Sequence, residues 1–202
     1  MNQKEAVLFL GDSLTYGYQV KRNETYPALI QDRINQNHLN WYVINGGVNG
    51  DTIDMASRRL PYYFNQYKSI HLLVIFLGAN DLLMGEDIDL VEQDLENLIE
   101  KARAFRPNIE IRLVAFGQLK GFDMSFLKPG YSKQFEEIYA RIATQLEVKL
   151  ISFPMVNVVG RPDLNLEDGL HPNSEGLKVI ADSLWIDLKP DFEVNTNTEK
   201  LK

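Results

Sequence analysis

The chain has 202 residues, of which 45% are hydrophobic and 10% aromatic; that is enough for one substantial core and short for two, so a single globular domain over residues 1–190 is expected. A formal net charge of −7 with no run of Lys or Arg argues against nucleic acid and anionic membrane surfaces as partners. The absence of cysteine removes disulfides, thiolate nucleophiles and Cys-ligated zinc, leaving Ser, Thr, Lys, Asp/Glu or His for covalent chemistry.

Met1 to Glu5 runs at once into the apolar Ala6–Leu10, too short for a signal h-region and without a small-residue cleavage site behind it. A cytoplasmic location is expected, although a periplasmic or secreted form whose export signal had been removed would begin in the same way. Ala6–Leu10 reads as the first strand, followed by a Gly-bounded turn and a helix over Tyr26–Asn37. Tyr42–Asn45 is the second strand, Thr52–Tyr67 a helix and Leu72–Leu77 the third strand. That last run is among the longest apolar stretches and falls far below the ~20 residues a membrane span needs, so no stable membrane insertion is expected. Leu90–Phe105, Ile109–Phe116, Lys133–Leu146 and Lys149–Phe153 continue the alternation of helix and strand. A last helix spans about Asn173–Leu188, and residues 191–202 are polar enough to predict a frayed tail. Near-continuous apolar strands separated by amphipathic helices define βαβ units, hence a parallel sheet covered on both faces: a three-layer α/β/α sandwich. Ligands in such sheets collect at the carboxyl ends of the strands.

The first strand ends in Gly11-Asp12-Ser13-Leu14-Thr15, placing a hydroxyl on an exposed turn. Taken alone, Asp12 and Ser13 read as a helix cap. A serine hydroxyl needs a base to become a nucleophile, and His38, His71 and His171 are the only histidines. His38 follows a helix in a polar stretch and His71 opens a strand at the far edge of the sheet, so both read as structural or solvated. His171 lies in Glu167-Asp168-Gly169-Leu170-His171-Pro172-Asn173, a Gly/Pro-punctuated loop with a carboxylate three residues upstream. An Asp so placed is able to accept from the imidazole Nδ1–H, fix the tautomer and steady the imidazolium that forms when Ser13 loses its proton. Two further strand ends, Asn45-Gly46-Gly47-Val48-Asn49-Gly50-Asp51-Thr52 and Gly78-Ala79-Asn80-Asp81, offer a Gly50 N–H and an Asn80 amide as oxyanion donors; singly, each reads as ordinary turn chemistry.

Together these blocks resemble the GDSL or SGNH hydrolase superfamily, marked by a Ser, a Gly, an Asn and a His. Gly11–Leu14, Asn49–Thr52, Gly78–Asp81 and Asp168–Pro172 match its successive blocks in order. The resemblance implies a flavodoxin-like five-stranded parallel sheet of order 2-1-3-4-5. It also implies Ser13 as nucleophile, His171 as base, Asp168 as its orienter, and an oxyanion hole formed by the Ser13 and Gly50 N–H groups and the Asn80 side chain. No metal or other cofactor is implied. Tyr26-Pro27-Ala28-Leu29 and the helix from Tyr131 with Phe135, Ile138 and Tyr139 are most similar to the small bacterial acyl-CoA thioesterase, lysophospholipase and arylesterase branch. The implied substrate is a small-molecule acyl ester or thioester.

Two segments carry more apolar surface than loops usually do, and they suggest an acyl-binding rim of Leu82, Met84, Phe122, Met124 and Phe126, with Asp12 also placed near the substrate. Packing of the same side chains onto the body is the equal alternative. Three other readings remain: a carbohydrate O-deacetylase of the same superfamily, a non-catalytic binding module, and a metal-dependent or phosphoacceptor domain built on Asp12, Asp51 and Asp81. A haloacid-dehalogenase-type site would require a second Asp two residues after Asp12, where Leu14 stands.

Overall fold

Every residue from Ala6 to Leu10 is fully buried, because the strand they form is covered on both faces. In the computed structural model, residues 4–117 and 125–197 are described, and the account below concerns these. The strands are β1 (Glu5–Gly11), β2 (Trp41–Gly47), β3 (Ile70–Phe76), β4 (Glu110–Val114) and β5 (Lys149–Ile151). All pair in parallel, in the order β2-β1-β3-β4-β5, which is the expected order. The register runs to Gly11↔Gly47 on one side of β1 and Gly11↔Phe76 on the other. Strands β2, β1 and β3 therefore end level, and the loops that follow them start from one line.

The helices are α1 (Ser13–Tyr16), α2 (Tyr26–Gln36), α3 (Ile53–Gln66), α4 (Ala79–Met84), α5 (Ile88–Phe105), α6 (Tyr131–Gln145) and α7 (Ser174–Asn197). Alternate strand residues feed two cores. Ala6, Leu8, Leu10, Leu73 and Ile75 pack under α3, α5 and α6, while Val7, Phe9, Leu72 and Val74 pack under α2 and α7. Helix α3 shows why these segments are helical: Ile53, Ala56, Leu60 and Phe64 are buried at spacings of three and four residues, and the Thr52 side chain accepts the Met55 N–H at 3.3 Å. Each fully buried Leu, Ile or Phe of these layers stabilises the fold by about 1.5–3 kcal/mol. Among the described residues no helix is long and apolar enough to cross a membrane.

Several boundaries depart from the sequence reading. Helices α1 and α4 stand where turns were expected, since neither is long enough to show a helical period. Strand β5 stops at Ile151, and Phe153 instead meets the rings of Phe76 and Phe116. For residues 191–197 the expected frayed tail is a correction, since α7 runs on through Pro190 to Asn197, while 198–202 lie outside the described residues. A proline inside a helix costs about 3 kcal/mol, but Phe192 is fully buried, its ring packed against Trp41 and Trp185. Asp191 also accepts two hydrogen bonds from Arg112 of β4, at 2.9 and 2.7 Å. Burial and a bidentate ion pair outweigh the propensity that suggested a stop.

Candidate active site

Where β1 ends, Asp12 turns the chain. Its Oδ1 accepts the Leu14 N–H at 2.9 Å and caps α1, which leaves Ser13 half-buried at the helix head. The short helix is anchored from behind: Thr15 Oγ1 bonds the buried Tyr26 hydroxyl at 2.7 Å, and Asn45 of β2 donates its amide to the Thr15 carbonyl at 2.8 Å. Gly47 permits this approach, because a Cβ there would lie 2.1 Å from the Tyr16 nitrogen.

The segment before α7 is stitched by its own backbone. Leu166 N–H donates to the His171 carbonyl at 2.8 Å and Asn173 N–H to that of Leu164 at 2.9 Å, while the buried Asn165 amide donates to the Val158 and Arg161 carbonyls, each at 2.7 Å. Asp168 Oδ1 accepts the Leu170 and His171 N–H groups, both at 2.9 Å, and its Oδ2 lies 2.7 Å from His171 Nδ1. His171 Nε2 is 3.0 Å from Ser13 Oγ. With Nδ1–H donating to the carboxylate, Nε2 is left to accept from the serine hydroxyl. Burial raises the Asp168 carboxyl, but the backbone donors of His171 and Leu170 and the imidazole outweigh it and hold the group below the usual carboxylate range.

The other predicted donors converge through loop contacts. Val48 N–H donates to the Gly11 carbonyl at 3.1 Å, tying the loop after β2 to the end of β1. Asn80, in the first turn of α4, donates one amide hydrogen to the Asp51 carbonyl at 2.8 Å, which leaves its second. Gly50 lies at φ +79°, and nothing stands within 4 Å of a Cβ built there; the glycine answers a left-handed backbone, not a lack of room. Among the described residues neither the Ser13 nor the Gly50 N–H has an acceptor.

Three carboxylates lie behind these donors. Asp51 is paired with Arg59, Asp81 accepts the Ile53 N–H at the head of α3 at 3.3 Å, and Asp12 caps α1. Burial pushes the Asp81 carboxyl up to about 6 and that of Asp12 up to about 7, the latter against its bond from Leu14 and with Asp81 and Asp51 adding repulsion. Among the described residues, Asp12 Oδ2 is buried without a hydrogen-bond partner. Because the folded chain holds this proton more tightly than an unfolded aspartate with its value of 3.8, the group's contribution to stability falls as pH rises from about 4 to about 7. Asp12→Asn is therefore expected to gain stability relative to the parent as pH rises from 5 to 8, by about 2–3 kcal/mol. Urea denaturation across that range measures it, and a difference independent of pH would contradict it.

Of the residues expected at the substrate, Asp12 and Leu82 are corrections: they are 1% and 2% exposed, one a helix cap and the other in the core. Met84 and Phe126 are exposed and line a cleft of about 890 Å3 together with Ile88, Leu127 and Tyr131. Phe122 and Met124 lie outside the described residues. His38 stands in the turn after α2, and His71 bonds the Ser69 carbonyl through Nδ1 at 2.8 Å, both apart from this cluster. Sequence reasoning missed Tyr18, whose ring centroid lies 4.4 Å from that of His171, and Asn165, which shapes the histidine loop. Neither carries a periodic or motif signal.

A strand-end serine hydrogen-bonded to a histidine–aspartate pair, on a parallel sheet of order 2-1-3-4-5, defines a serine hydrolase of the three-layer α/β/α type. Comparison with known proteins agrees: the sequence pattern of the GDSL-like lipase/acylhydrolase family matches residues 9–179, and the chain belongs to that family. It is 32% identical over 178 residues to an arylesterase of Vibrio mimicus, covering 88% of this chain and 85% of that one. It is 31% identical over 190 residues to thioesterase 1/protease 1/lysophospholipase L1 of Escherichia coli (strain K12), covering 92% and 84%. Among solved structures, the psychrotrophic esterase EstA from Pseudoalteromonas sp., inhibited by monoethylphosphonate, superposes with a TM-score of 0.83 at 29% identity, covering 93% of this chain and 98% of that one. The protein is accordingly an ester hydrolase of the serine type.

Proposed function

We propose that Ser13 attacks the carbonyl of an acyl ester or thioester with an apolar acyl group, and that the acyl-enzyme formed is then hydrolysed. The observation that carries this reading is the continuous chain of hydrogen bonds from Asp168 through His171 to Ser13, at 2.7 and 3.0 Å. His171 takes the hydroxyl proton as Oγ bonds to the carbonyl carbon, and Asp168 steadies the imidazolium. The Ser13 and Gly50 N–H groups and the free Asn80 amide hydrogen receive the negative charge that develops on the carbonyl oxygen; one such donor is worth about 3–4 kcal/mol in comparable enzymes. The imidazolium returns its proton to the departing alcohol or thiol, and water repeats the cycle on the acyl-enzyme.

The acyl group is assigned to the Met84/Phe126 cleft. Both side chains are more than half exposed, at 64% and 59%, and a thioether and a ring at a rim accommodate chains of several lengths. The names of the related arylesterase and thioesterase/lysophospholipase point the same way. The test is a series of p-nitrophenyl esters from acetate to palmitate, run beside acetylated saccharides. Specificity is expected to extend to chains longer than acetate. A sharp optimum at acetate, with acetylated saccharides preferred, would instead identify a carbohydrate O-deacetylase.

A further inference from the structure

His171 is held at its edge, by Asp168 at Nδ1 and by Ser13 at Nε2, at 2.7 and 3.0 Å. Both contacts lie close to the plane of the ring, and they leave it free to rock about the line joining the two nitrogens. What covers the face limits that freedom. Tyr18 lies there: the two ring centroids are 4.4 Å apart and the planes are inclined by 37°, closer to a stack than to an edge-on contact. The imidazole side chain is only 16% exposed, so a charge gained by this ring depends on protein groups more than on water.

Tyr18 reaches this place because α1 ends abruptly. Gly17 takes a left-handed φ of +83°, and a Cβ there would stand 2.3 Å from Thr25 Cγ2, so the turn requires glycine. It brings the Gly17 and Tyr18 N–H groups onto the Ser13 carbonyl, at 3.0 and 3.2 Å. The residue that carries the nucleophile thus also anchors the backbone of the ring that covers the base. Among the described residues the Tyr18 hydroxyl has no hydrogen-bond partner. What the position supplies to His171 is the face of an aromatic ring.

We infer that Tyr18 is a positioning residue for His171, whose ring face stabilises the imidazolium formed when Ser13 gives up its proton. The inference rests on the reading of His171 as the base. The face of an aromatic ring carries negative potential, and a cation within about 6 Å of its centroid is attracted to it. Neutral imidazole gains little from that field. The imidazolium gains the full attraction at its face, while Asp168 meets it at the edge. The contact is therefore stronger in the transition state than in the resting enzyme, which is the condition for raising kcat. Acylation and deacylation both pass through the imidazolium, so kcat depends on Tyr18 whichever step is slower.

Charge on the ring face is separable from the shape of the ring. kcat and KM for p-nitrophenyl butyrate are measured for the full chain with Tyr18→Phe, with Tyr18→Leu, and with pentafluorophenylalanine introduced at position 18 by nonsense suppression. Fluorination nearly preserves the outline of the ring and reverses the sign of the potential on its face. Tyr18→Phe should stay within about two-fold of the parent, because the hydroxyl it loses is unbonded and the face is kept. The fluorinated ring and Tyr18→Leu should each lower kcat by about three- to thirty-fold, with KM changed less than about two-fold. Equal kcat for the Phe and pentafluorophenylalanine enzymes, or a loss that falls on KM alone, would overturn the inference. Should Tyr18→Leu fail to fold, the two rings of matched shape still decide it. His171→Ala keeps the two assignments apart. If that variant hydrolyses the ester like the parent, the base assignment fails and the role of Tyr18 falls with it; if it is inactive while the two rings match, Tyr18 alone is dismissed.

Discussion

Ser13→Ala is expected to fold like the parent enzyme and to lose kcat for p-nitrophenyl esters by about 10^5-fold or more, the scale seen when a triad serine is removed. The fold survives because the side chain is not what caps α1; that bond belongs to Asp12, whose Oδ1 holds the Leu14 N–H. Nor does the hydroxyl fill a cavity, since Ser13 is only half-buried. The loss is large because, among the described residues, Ser13 supplies the one hydroxyl hydrogen-bonded to His171 Nε2. A fluorophosphonate should label the parent on Ser13 and leave the variant unlabelled, and EDTA should not protect either. Thermal unfolding within a degree or two of the parent, together with abolished turnover, separates chemistry from stability. Turnover within ten-fold of the parent would mean that the nucleophile lies elsewhere.

His171→Ala should cost nearly as much, and Ser13→Ala/His171→Ala should be no worse than either alone, because the two side chains act as one unit. The imidazole is the acceptor on which the hydroxyl depends at 3.0 Å, and without it the proton has nowhere to go as the carbon–oxygen bond forms. The loop itself should persist. Its frame is made by Asn165, by the Leu166 and Asn173 N–H groups and by the Asp168 Oδ1 bonds to two backbone donors, none of which uses the ring. Pre-steady-state measurement of the p-nitrophenol burst tests this: the burst should vanish in His171→Ala. A burst of normal rate would remove His171 from the acylation step.

The core of this site was legible because its parts stand at strand ends, where apolar runs give way to Gly, Asp, Asn and Ser. Ser13 and Asn80 follow such a change in composition, whereas His171 stands in the segment before α7, and pairing it with Ser13 required only that one histidine lie in a loop with a carboxylate nearby. What escaped the sequence was contact between segments. Tyr18 against His171 depends on how α1 and the histidine loop are placed, which no local pattern encodes. The burial of Asp12 and Leu82 was missed because α1 and α4 are too short to show a periodic face, so both residues read as exposed turn positions. The tail was misread for a related reason. Pro190 and a polar composition argue locally for an end, whereas Phe192 and Asp191 find partners on Trp41, Trp185 and Arg112, all distant in sequence except Trp185.

The hydrogen bond between Ser13 and His171 joins residues 158 positions apart, one just after the chain's first strand and the other just before its last helix. Closing a loop of that length carries an entropy cost that must be met before the contact returns anything. The nucleophile therefore cannot be activated in a chain that has formed its helices and only part of its sheet. Both ends have to be docked on the same molecule. During refolding, hydrolysis would report on chains that have closed from end to end, whereas far-ultraviolet circular dichroism reports on helices, which do not require that closure.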